Sequence, residues 1–217
     1  MKATLNRQLF KQSVFDSAKI SATSSVVHQF CSDGEYSGTI LQGNRVVGAF
    51  RFRVDNESDL MSYHFDLAAL SASQKRDDKG DCCCNEPEKG IPTLSSKGYA
   101  LFFASRGSNY SVQVQAVDGK ENYNSTVLEK NDLFALSLIE PVKYSLNNKQ
   151  SGAAGEIEVT FTKKDASRIR NLETIYVDVE NEQFNPANIK LVATQGLVFR
   201  IKEKSQIIIQ KLGPQKN

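Results

Sequence analysis

The 217 residues carry 27 basic and 25 acidic side chains, a formal charge of +2, with 40% hydrophobic and 24% charged residues. This is the composition of a folded globular chain long enough to bury a substantial core, and it excludes intrinsic disorder. The near-balance of charge gives no electrostatic case for nucleic acid or an anionic membrane as partner, and no window approaches the roughly 18 consecutive apolar residues of a transmembrane segment.

In chain order, Leu5, Leu9, Phe10, Val14 and Ala18 recur near helical spacing between basic residues, which predicts a short N-terminal helix over 3–18. Such an arm docks on its own sheet or on a neighbouring subunit. No apolar h-region follows Met1-Lys2, so no signal peptide is expected and a cytoplasmic location is the default. The sequons at Asn56, Asn109 and Asn124 then carry no weight. Residues 21–25 are a Ser/Thr-rich break, and 26–30 read as a strand. Residues 36–41 and 46–54 flank Gln42-Gly43-Asn44-Arg45 and read as a hairpin, with Phe50, Phe52 and Val54 inward and Arg51 and Arg53 outward. Residues 61–67 alternate strictly and place His64 on the polar face.

Residues 71–96 are polar, charged and punctuated by Gly and Pro. They are expected to form a long inserted loop, which a compact domain tolerates mainly for a function. Six strands follow, over 99–105, 110–117, 125–129, 133–139, 142–146 and 156–162. Tyr110-Ser111-Val112-Gln113-Val114-Gln115-Ala116 shows the period-two alternation of a half-buried strand most clearly. Residues 147–155 read as a flexible hairpin end. The charged stretch 163–171 suggests a boundary, and 174–211 form a second set of strands. The expectation is an all-β protein: an arm over 1–25, a β-sandwich over 26–165 with the insertion 71–96, and a small β unit over 172–212.

Within that last unit, Val177 and Val179, then Gln183-Phe184-Asn185-Pro186-Ala187-Asn188-Ile189, then Gly196-Leu197-Val198-Phe199 resemble the opening of a cupredoxin sandwich. The resemblance covers about a tenth of the chain and implies strand, F-x-P-x-x-I turn, strand, Gly turn, strand. Cupredoxins hold copper with two His, a Cys and usually a Met. No His, Cys or Met follows Phe161 here, so the resemblance implies the sandwich without the copper site.

Candidate chemistry is sparse. Cys82, Cys83 and Cys84 are consecutive, so at most two of these thiolates converge on one ion; Cys31 and His28, at H-x-x-C spacing, would complete a zinc or copper site. The same four cysteines also suit disulfides, within the chain or between subunits, or stay reduced in a cytosolic loop. His64 and Asp66 share a strand face, but no G-x-S-x-G elbow supplies a nucleophile. The carboxylates of 77–88 lack the EF-hand pattern, and Glu156 and Glu158 read as solvated. The expected function is non-enzymatic: a structural, self-assembling protein without a cofactor. It would make homo-oligomer or protein contacts through sheet edges, the N-terminal arm and the Cys loop. A metal-binding or redox protein using Cys31 and Cys82–Cys84 is the alternative.

Overall fold

The structure is a computed structural model and describes residues 12–77, 91–161 and 172–213. Strands are the dominant regular structure of the described chain, with one short helix. In order it runs β1 (Val14–Asp16), β2 (Ser24–His28), β3 (Gly34–Gln42), β4 (Arg45–Val54), β5 (Ser62–Asp66), α1 (Leu67–Asp77), β6 (Thr93–Leu94), β7 (Tyr99–Phe103), β8 (Tyr110–Ala116) and β9 (Asn122–Asn124). It continues with β10 (Leu133–Ser137), β11 (Lys143–Asn148), β12 (Ala154–Thr160), β13 (Ile175–Glu180), β14 (Gln183–Asn185), β15 (Asn188–Val192), β16 (Gly196–Ile201) and β17 (Ile207–Lys211).

Two compact units form, and their limits differ from those expected. One is Lys19–Thr126; the other joins Met1–Ala18 to Val127–Asn217. The expected division at 163–171 fails because β11 and β12 find partners beyond it. β11 pairs antiparallel with β17, and β12 pairs parallel with β15. A strand's neutral alternation records which face is buried, not which distant strand lies beside it.

In the Lys19–Thr126 unit, β3 and β4 form the expected hairpin, paired from Gly34↔Val54 to Gln42↔Arg45 with a register shift between Ile40 and Leu41. Gly43 supplies the positive φ of +62° at its turn. The sheet runs β6-β4-β3-β8-β9, and β2-β7-β5 form the facing set. Between them lies an aromatic core. Phe50 meets Phe65 at 4.6 Å, Phe52 meets Phe65 at 5.3 Å, and Tyr36 stacks on Phe52 at 5.0 Å. The Phe50 ring covers Gly38, where any Cβ would strike it, so the glycine exists for close approach and not for turn geometry.

The expected loop 71–96 begins instead as helix. Leu67, Ala68 and Ser71 are buried on one side of α1, and Asp66 caps it by accepting the backbone N–H groups of Ala68 (3.1 Å) and Ala69 (3.2 Å). The helix packs on β4 and β5. β6 pairs with β4 only at Arg53 and Val54. The charge of this stretch suggested a loop, yet Ala, Leu, Ser and Gln after an Asp also satisfy a capped helix.

The second unit packs the sheet β1-β17-β11-β12-β15 against strands paired in the order β14-β13-β16-β10. Val177, Val179, Leu197, Phe199, Ile207 and Ile209 are fully buried, and Phe199 touches Phe134 and Phe184. Two expectations change here. Residues 14–16 of the predicted N-terminal helix are strand, held on β17, while the predicted residues 3–11 lie outside the described residues. The predicted strand 125–129 is irregular; only Leu128 bridges, to Ser205. The hairpin end expected to be flexible is fastened. Buried Asn148 donates to Ser205 Oγ (3.1 Å) and accepts from the amides of Gln150 and Gln206 (both 3.1 Å).

Candidate functional site

Of the proposed metal ligands, Cys82, Cys83 and Cys84 lie outside the described residues. His28 closes β2, its ring stacked on Tyr123 at 3.8 Å and edge-on to Phe30 at 4.6 Å. That is the environment of a packed aromatic. Cys31, three residues on, is an exposed free thiol making only a weak 3.9 Å contact to the Gln29 carbonyl. Among the described residues no three His, Cys, Asp or Glu side chains gather where they would hold an ion.

The His64–Asp66 pair divides its roles. His64 is exposed, whereas Asp66 accepts a third backbone N–H, from Ser105 at 3.1 Å, besides its two in α1. Burial pushes its carboxyl up, but the hydrogen bonds from Ser105, Ala69 and Ala68 outweigh that and hold it below the usual carboxylate range. A carboxylate so committed is a structural cap. Glu156 and Glu158 pair with Lys143 (2.7 Å) and Lys190 (3.7 Å) across neighbouring strands. On β13 and β16, Arg200 grips Asp178 with Nε (2.6 Å) and Nη2 (3.0 Å), and Lys202 bridges Asp178 and Glu180. These are exposed cross-strand ladders.

One polar cluster was not legible beforehand. Tyr36, itself almost wholly buried, brings its hydroxyl to Glu121 Oε2 (2.6 Å) and the Ser32 carbonyl (2.7 Å); Glu121 also accepts the Ser32 amide at 3.2 Å. Burial first, and the Glu121 carboxylate second, push the Tyr36 phenol far up, so it stays protonated and acts as a donor. The cluster ties residue 32 to residue 121. Behind it, Glu35, Ser37, Arg51, Ile91 and Val117 rim an open hollow of about 180 Å³.

The sheet ends offer more. Among the described residues β15 ends its sheet with Lys190 exposed and Pro186 just before it, both deterrents to further strand pairing. β5 also ends its set, and its residues Ser62-Tyr63-His64-Phe65-Asp66 include no Lys, Arg or Pro. Beside its start lie three exposed apolar side chains, Leu60 (39%), Met61 (53%) and Tyr99 (43%). They are neighbours because Tyr99 donates its amide to the Met61 carbonyl and Gly98 packs against the backbone of both Leu60 and Met61.

Comparison with protein-family models, with curated proteins and with solved structures returns no match.

Proposed function

We propose that this chain is a non-enzymatic structural protein that associates with copies of itself through sheet edges. The observation that carries the reading is β5: an end strand among the described residues, without Lys, Arg or Pro, its one charged residue Asp66 committed to backbone amides, beside the Leu60–Met61–Tyr99 patch. An end strand presents backbone N–H and C=O groups to a further strand, and adjacent apolar surface adds burial to the pairing. Exposed Cys31 adds a covalent route: its thiol is accessible to a second copy, and Cys82–Cys84 supply further thiols.

The cupredoxin resemblance enters the same reading as a scaffold. Support comes from β13 lying parallel to β16, from β14 ending at Asn185 just before Pro186, and from β15 pairing in the other sheet beside β12. The scaffold so proposed has no copper ligands, since no His, Cys or Met follows Phe161.

Native sizing tests the function. A concentration-dependent oligomer in the micromolar range is expected, reduced by Met61→Lys with His64→Lys while the circular dichroism spectrum is kept. A clean monomer at every concentration overturns the reading. The alternative, a metal-binding protein using His28, Cys31 and Cys82–Cys84, is favoured if purified protein carries stoichiometric zinc or copper that is lost on Cys→Ser substitution.

A further inference from the structure

β1 belongs to one unit by contact and leads into the other by sequence. Its three residues pair with β17, and Phe15 is buried edge-on to Tyr144 at 6.2 Å. The amide of Lys211 donates to the Ser13 carbonyl (2.8 Å), that of Ser17 to the Ile207 carbonyl (2.9 Å), and that of Ile207 to Ser17 Oγ (3.0 Å). Gln206 Nε2 donates to Asp16 Oδ1 at 3.0 Å. Ser17 and Ile207 are 190 positions apart. After Ala18 the chain enters the Lys19–Thr126 unit, and the unit containing β17 resumes only at Val127.

β1 is therefore held on its sheet by non-covalent contacts to residues very distant in sequence. Each of those contacts is reproduced unchanged if β1 comes from a second molecule. The hinge is short: Ser17 is fastened to Ile207 and Ile20 to Tyr110, leaving Ala18 and Lys19 between. Short hinge loops favour exchange of identical elements between protomers.

We propose that copies of this chain assemble by exchanging β1, so that Val14–Asp16 of one copy pairs with β17 of another and its Phe15 fills the place beside Tyr144. The proposal rests on the self-association reading and names its route. Val14 and Gln210 face each other on β1 and β17, both exposed. The bonded pairs on either side of them make theirs a non-hydrogen-bonded position, where opposed Cα atoms are close enough for a disulfide.

The test is Val14→Cys with Gln210→Cys in full-length protein carrying Cys31→Ser, Cys82→Ser, Cys83→Ser and Cys84→Ser. It is oxidised at the concentration where the assembled species dominates, then sized in denaturant without reductant. Covalent dimers or a ladder, in proportion to the assembled fraction, are expected. Assembled protein whose cross-links all lie within single chains overturns β1 exchange and leaves self-association by another route. A monomer with the cross-link within the chain overturns both, and two thiols that stay free overturn the pairing of β1 with β17. Phe15→Lys is a second variant: at least a tenfold rise in the dissociation constant is expected, and unchanged assembly also overturns the proposal.

Discussion

Asp66 holds three backbone amides with one carboxylate, so its ionised form is stabilised by the fold. Asp66→Ala is expected to cost about 1 kcal/mol, the usual loss for an N-cap. The sign of its pH dependence follows from the lowered folded pKa. The cap's contribution is complete above the unfolded carboxylate range and is lost as pH falls through the lower, folded value. The stability gap between wild type and Asp66→Asn should therefore narrow as pH drops below about 4, measured by denaturant titration. Tyr144 works at the other end of the scale. Burial, and then the Glu140 carboxylate, push its phenol up to about 12. An unfolded phenol ionises near 10, so folding loses stability as pH rises from about 10 to 12, and Tyr144→Phe should flatten that alkaline decline. Asn148 is buried, and its side chain makes three hydrogen bonds inside the fold. Asn148→Ala should cost about 1–3 kcal/mol in a thermal or urea melt, because it strands the amides of Gln150 and Gln206.

At the scale of elements, two glycines decide how strands meet. Gly38 lets β3 lie under the Phe50 ring, and Gly155 lets β12 pass the backbone carbonyl of Ala187 at the entry to β15. The first obstacle is a side chain and the second is main chain. Gly38→Val should cost about 1–3 kcal/mol through overpacking. Gly155→Val should cost more, because a ring can rotate aside while the β12–β15 crossing cannot without breaking Glu156 N–H to Ala187 C=O (2.9 Å). Comparing the two by urea melts checks the order, and equal losses would refute it. Alternation alone already marked Phe50, Phe52 and Val54 as inward, and all three are buried. α1 was hidden because the charged residues late in its sequence read as loop, while only Leu67, Ala68 and Ser71 mark its buried stripe.

For the whole molecule, assembly is the property to measure. Sizing across concentration, with the β5 variants and the Val14/Gln210 cross-link read separately, distinguishes association at an open edge from exchange of β1. Charge will not drive either event, since 27 basic and 25 acidic residues nearly cancel; a salt titration should leave the assembled fraction unchanged within a factor of about two. Strong dissociation at high salt would show that a local charge pattern outweighs that balance.

The all-β class, the β3–β4 hairpin and the inward faces of most strands were written in local patterns of period two, because burial of one sheet face needs only near neighbours in sequence. Which strands lie side by side was not. Pairing β1 with β17, β12 with β15 and Ser32 with Glu121 joins residues far apart along the chain, and local alternation is the same whichever partner is chosen. Only the closed fold, where every buried amide must find an acceptor, selected those partners and with them the edges on which assembly depends.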